Sequence, residues 1–243
     1  TVWPSGPVPS APHVAMTLGA LRDFGADVEE LPPGAHGDRG WRVGGRLHGR
    51  DMVIEPDLSG GAPFLAAALV AGGRVTVAGW PAATTQPGDL QRDYLTACGA
   101  EVSWSPDGLS ATATRRPRGA DLDLTPAGEL APTLAAIATV ADGPSRLKGI
   151  GHLRGHETDR IAALRREITR LGGGARELAD GLEIVPGPLR PAVVETYGDH
   201  RMAMFAAIVG LVVDGVEVRD VATTAKTMPD FPQRWRAMAE AQS

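Results

Sequence analysis

Apolar and polar positions along the chain fall into a pattern that recurs about every 70 residues. Three runs of small apolar residues read as buried helices: Ala62–Leu69, Ala131–Ala138 and Arg201–Ile208, with starts 69 and 70 residues apart. Each is followed by alternating apolar positions that predict a half-buried strand, over Gly73–Gly79, Ser145–Ile150 and Gly215–Val221. Second helices beginning near Gln86, His156 and Lys226 repeat at intervals of 70. One carries Leu90, Tyr94, Leu95 and Cys98, and the next Ile161, Leu164, Ile168 and Leu171. That spacing gives a core-facing helical stripe, and Gly99 and Gly172 stand where a helix-ending glycine belongs. The pattern predicts an α/β (α+β) chain of repeated βαβαβ units.

The segment from Ser10 to Glu29 matches only the second helix and following strand of such a unit, so the chain is expected to begin inside a repeat. Residues 1–50 then form a partial unit of one domain, with Leu31–Arg50, rich in Gly, Pro and charge, as a hinge. Residues 51–243 form a second domain of three units, about 51–118, 119–190 and 191–243.

Composition narrows the function classes. The 31 Gly and 20 Pro of the 243 residues show no Gly-X-Y period and read as punctuation between short elements. A formal charge of −5 offers no long-range attraction for nucleic acid or acidic lipid, so an anionic ligand must be held by a local cluster. No apolar run approaches the roughly 20 residues of a bilayer span, and no basic-then-apolar leader is present, so a soluble cytoplasmic protein is expected. The single cysteine, Cys98, sits in an apolar helical stretch and reads as a small buried hydrophobe in a reducing compartment.

Three polar clusters interrupt the apolar pattern. His152-Leu153-Arg154-Gly155-His156-Glu157-Thr158-Asp159-Arg160 lies at a strand-to-helix junction, where backbone N–H groups favour anions, and Glu157 and Arg160 are spaced to share a helical face. Such a pair is also what an ordinary helix start with a surface ion pair would show. Tyr197-Gly198-Asp199-His200-Arg201-Met202-Ala203-Met204 places an Asp-His-Arg triplet before an apolar helix, and a buried Arg there requires an acid or an anion. The same position one unit earlier holds Glu129. Thr224-Ala225-Lys226-Thr227-Met228-Pro229-Asp230 places one lysine at the second-helix start of the last unit. Superposed units would gather Arg160, Arg201, Lys226, two carboxylates and a histidine on one strand-end face, as an anion site with acid/base groups.

In order and spacing, these three clusters closely resemble the C-terminal motifs of the 5-enolpyruvylshikimate-3-phosphate synthases (3-phosphoshikimate 1-carboxyvinyltransferases). The resemblance implies a two-domain enzyme, each domain an inverse α/β barrel-like arrangement of three such units, monomeric when complete. It implies transfer of the enolpyruvyl group of phosphoenolpyruvate to the 5-hydroxyl of shikimate 3-phosphate, without metal or organic cofactor. By motif, Arg160, Arg201 and Lys226 would bind phosphoenolpyruvate. Glu157 would act as acid and base at the enol carbon. Glu129, where most members have Asp, would hold shikimate hydroxyls and accept the 5-hydroxyl proton. His200 would hydrogen-bond in the site, and Ser10, His152 and His156 would face shikimate 3-phosphate; many members carry Lys in place of His156. The family's N-terminal half, with its own Lys, Arg, Ser and Gln ligands, has no counterpart in these residues, so little activity is expected of this chain alone. The related transferases acting on UDP-N-acetylglucosamine lack the Asp-His-Arg-Met-Ala-Met run. The alternative from another class is a non-catalytic protein that binds a phosphorylated ligand or a partner subunit through its uncovered repeat.

Overall fold

The computed structural model describes residues 1–6, 8, 11–34 and 39–241. The chain divides into two compact units, residues 1–55 with 83–87 and residues 56–82 with 88–243. In the first unit α1 (Ala11–Asp23) turns at Gly25, whose φ of +92° suits glycine, into β1 (Ala26–Pro33). The stretch expected to be a hinge contains a strand instead: β2 (Arg39–Gly45) pairs antiparallel with β1, Val28 opposite Val43. With one buried position, Gly40, the strand carries no alternating pattern and takes its register from β1. Within this unit Thr84 and Gln86 donate to the Glu55 carboxylate, which ties 83–87 to it.

The second unit opens with α2 (Leu58–Ala71), β3 (Gly73–Ala78), α3 (Gln91–Ala97), β4 (Glu101–Ser105) and β5 (Gly108–Ala113). The same order recurs in β6 (Asp121–Asp123), α4 (Ala131–Thr139), β7 (Ser145–Lys148), α5 (Arg160–Arg170), β8 (Gly174–Leu178) and β9 (Gly181–Val185). It recurs again, without the closing hairpin, in β10 (Val193–Val194), α6 (His200–Val209), β11 (Glu217–Val218) and α7 (Phe231–Glu240). The sheets run β3-β5-β4, β6-β7-β9-β8 and β10-β11, with β6–β7 and β10–β11 parallel and the rest antiparallel.

Three differences from the sequence pattern have local causes. Helix α2 starts at Leu58, before the expected Ala62, because the Asp57 carboxylate accepts from the N–H groups of Ser59 and Gly60 at 3.0 and 3.1 Å and caps it there. The strand expected over Gly215–Val221 shrinks to Glu217–Val218: it has one partner, the two-residue β10, and Asp220 turns left-handed directly after it. The second helices begin at Gln91, Arg160 and Phe231, a few residues late, because 3-10 turns at Pro87–Leu90, Gly151–Gly155 and Val221–Lys226 precede them. Glu157 therefore lies on the approach to α5 and not on its face.

Helices α2, α4 and α6 are apolar nearly all round and pack against one another at the centre of this unit, with Leu65, Leu134 and Phe205 fully buried. Cys98 is buried at the end of α3, and burial pushes its thiol up to about 11. The α3 and α5 helices stop where Gly99 and Gly172 take φ of +104° and +100°. Three central helices that start at one end of the repeat put three helix N-termini at one pole, and the polar clusters lie there.

Candidate active site

Arg160, the first residue of α5, is the hub. Its side chain is 1% exposed, and three carboxylates surround it. Nε donates to Asp199 Oδ2 at 2.6 Å, Nη1 to Glu129 Oε2 at 3.0 Å and Nη2 to Glu157 Oε2 at 2.6 Å. Asp199, fully buried, also caps α6 by accepting the Arg201 N–H at 2.8 Å. One carboxylate thus ends a helix and neutralises a buried cation.

Arg201 and Lys226 complete the cluster. Arg201 Nε lies 2.9 Å from Glu129 Oε2 as a charge contact without an aligned hydrogen bond, and Nη2 donates to Ser59 Oγ at 3.1 Å. Lys226 Nζ donates to Glu157 Oε1. The starts of α2, α4 and α6 therefore meet through Ser59, Glu129 and Arg201. The Lys226 side chain is 55% exposed, whereas those of Arg160 and Arg201 are largely covered.

Glu157 and Glu129 are held ionised. Burial works against charge on Glu157, but hydrogen bonds from Lys226 and from backbone, with the nearby Arg160, bring its carboxyl down to about 2. Burial likewise opposes ionisation of Glu129; the guanidiniums of Arg201 and Arg160, with His156, outweigh it and place the carboxyl below its ordinary value. Three cations face three carboxylates, so the cluster is near neutral.

The histidines divide into two groups. The rings of His152 and His156 lie tilted at 59° with centres 5.6 Å apart, and His156 Nδ1 lies 3.2 Å from Arg160 Nη1 and 3.5 Å from Glu129 Oε1. The approach requires Gly128, where a Cβ would fall 2.7 Å from His152 Nε2. Burial pushes His152 below its ordinary value. His200 is buried at the start of α6 with neither ring nitrogen hydrogen-bonded, and burial, helped by Arg201, pushes its value down.

Glu129, His152, His156, Glu157, Arg160, His200, Arg201 and Lys226 are brought to one pole, whereas Ser10 lies outside the described residues. They lie on the turns and helix starts that follow β6, β7, β10 and β11. Asp199 and Ser59 had been given no role. Their signal was the N-cap position: an Asp before an apolar helix, in Asp57-Leu58-Ser59 and in Asp199-His200-Arg201.

The sequence matches the family model of EPSP synthase (3-phosphoshikimate 1-carboxyvinyltransferase) over residues 2–235. This chain belongs to the EPSP synthase family. It is 53% identical over 231 residues to a 3-phosphoshikimate 1-carboxyvinyltransferase of Kocuria rhizophila, an alignment covering 95% of this chain and 51% of that one. The chain thus spans about half the length of this curated relative. An EPSP synthase structure from Acinetobacter baumannii superposes with a TM-score of 0.71 at 24% identity, covering 90% of this chain and 53% of the other. The enolpyruvyl transferase NikO of Streptomyces tendae gives 0.65 at 22%, over 93% and 53%. These likenesses establish the enolpyruvyl transferase fold, and no helix among the described residues is long and apolar enough to cross a membrane.

Proposed function

We propose that this chain carries the phosphoenolpyruvate-handling side of an EPSP synthase, which transfers the enolpyruvyl group to the 5-hydroxyl of shikimate 3-phosphate and releases phosphate. The meeting of all three motif segments on the pole of α2, α4 and α6 carries the reading. Lys226 and Arg201 pair with the phosphate and carboxylate of phosphoenolpyruvate, and Arg160 behind them completes the anion site and fixes the carboxylates. A ligand that takes Lys226 away from Glu157 removes the largest influence lowering that carboxyl, so Glu157 accepts a proton more readily as the substrate arrives.

Protonated Glu157 then delivers its proton to the methylene carbon while the 5-hydroxyl oxygen bonds to the adjacent carbon and Glu129 takes the hydroxyl proton. The adduct collapses as the carbon–phosphate oxygen bond breaks; Glu157 recovers a proton from the same methyl carbon, Glu129 passes the hydroxyl proton to the departing phosphate, and the enolpyruvyl ether remains. The three cations stabilise charge on the departing phosphate. His200 supplies a neutral hydrogen-bonding group, and His152 and His156 face the shikimate phosphate.

We read residues 1–50 as the last unit of a second domain and 51–243 as three units of the other. The complete enzyme is then a cytoplasmic monomer with no nucleic-acid partner. The family's other half contributes further Lys, Arg, Ser and Gln ligands, and a one-sided site cannot exclude water. Phosphate release from the two substrates is therefore expected to be slow for this chain alone and restored on mixing with the N-terminal half of the Kocuria rhizophila relative. Glu157→Gln should reduce the restored rate about 100-fold or more. Rapid turnover by the isolated chain, or undiminished release by Glu157→Gln, overturns the reading.

A further inference from the structure

We propose that Glu167 is a positioning residue, which through Tyr197 and the Glu195 backbone holds the turn that sets Asp199 against Arg160. The proposal rests on the enolpyruvyl-transfer reading for its functional meaning, while its geometry stands by itself. Glu167 lies two turns beyond Arg160 on α5, hence on the same helical face, and its side chain is 0% exposed. Its Oε1 accepts the Tyr197 hydroxyl at 2.6 Å, and its Oε2 accepts the Glu195 N–H at 3.2 Å and Arg170 Nε at 2.9 Å. Helix α5 therefore grips one segment twice, by Arg160 on Asp199 and by Glu167 on Glu195 and Tyr197.

Between the two grips the backbone is strained. Tyr197 has φ of +55° and Gly198 φ of +70°, and a non-glycine residue keeps such a conformation only where its surroundings over-determine it. The Arg166 guanidinium lies over the Tyr197 ring, 6.0 Å from its centre, and the Asp199 N–H returns to the Thr196 carbonyl at 2.9 Å. The chain supplies its own comparison one unit earlier. Ala127-Gly128-Glu129 stands 70 residues before Tyr197-Gly198-Asp199, and Ala127 has φ of −144°. The repeated fold therefore builds this corner without a left-handed residue and without a buried carboxylate behind it. The brace belongs to the unit whose next three residues are Asp199, His200 and Arg201, and its effect is to fix where those side chains point.

The test uses the 243-residue chain. The Arg160 Nε–H, bonded to Asp199 and buried, should exchange slowly with solvent, and NMR reads that rate with no ligand present. Tyr197→Phe and Glu167→Gln should each raise it at least tenfold while amide protection in α4 and α6 changes less than twofold. Arg170→Ala, which removes an exposed partner of the same carboxylate, should leave it within twofold. Phosphoenolpyruvate affinity, read separately by calorimetry, should fall about tenfold in the first two variants and hold in the third. An Arg160 exchange rate unchanged in both variants overturns the proposal, as does a rise matched by equal loss of protection in α4 and α6. Failure of the unmodified chain to bind phosphoenolpyruvate counts against the enolpyruvyl-transfer reading alone, since the exchange measurement needs no ligand.

Discussion

Arg160 and Asp199, 39 residues apart in the chain, form a fully buried ion pair with Nε and Oδ2 2.6 Å apart. Removing Asp199 leaves the buried Arg160 Nε without its close partner while Glu129 and Glu157 still neutralise the guanidinium, and an unsatisfied buried donor costs about 1–3 kcal/mol. Asp199 also caps α6. Asp199→Ala is accordingly expected to lower the unfolding free energy by about 2–4 kcal/mol, the lost partner and the lost cap together, read from urea titration. A loss under about 1 kcal/mol would mean that water or another carboxylate replaces it.

Glu157 sets an acid limit. Its folded carboxyl is at about 2 against an ordinary 4.5, so its contribution to stability is present above the ordinary value and is lost as pH falls toward the folded one. Lys226→Met removes the strongest influence lowering it and should flatten this part of the stability curve. Unfolding measured between pH 3 and pH 6 should differ in slope between the two proteins. Parallel curves would show that Lys226 does not hold Glu157 ionised.

How much of this was legible in the sequence depends on the kind of interaction. The central helices announced themselves because burial on every side demands apolar residues throughout, as in Ala131–Ala138. The cations and Glu157 were legible because their motif spacing is distinctive. Glu167 was not: on α5 it reads as one more charged residue beside Arg165, Arg166 and Arg170, and only the tertiary approach of Tyr197 buries it. β2 was lost for a similar reason, since a strand with Gly40, Gly44 and Gly45 has little pattern of its own and takes its register from β1.

His200 is expected to remain neutral. Burial, with Arg201 and Arg160, lowers its value, while Asp199 and Glu157 pull the other way without prevailing. A depressed histidine destabilises the folded state as pH falls below its ordinary 6.5, because the unfolded chain takes the proton more readily. NMR of the imidazole carbons should show a midpoint below 6.5, and a midpoint at or above it would indicate a partner for the ring.

Cys98 should be inert in the folded chain. A thiol raised from 9.0 to about 11 carries about one hundredth of the ordinary thiolate. Alkylation by iodoacetamide at pH 8 is expected to run at least 100-fold slower in the folded than in the urea-unfolded protein, and equal rates would contradict the buried placement.

The central claim is that Arg160, Arg201 and Lys226 form one anion site. Calorimetric titration of the 243-residue chain with phosphoenolpyruvate tests it most directly, in the unmodified protein and in Arg201→Ala and Lys226→Met. The account predicts saturable one-site binding that weakens as salt rises and falls at least about tenfold in each variant, the scale of one charge-assisted contact. Absence of saturable binding at millimolar ligand, or equal affinity in all three proteins, would contradict it.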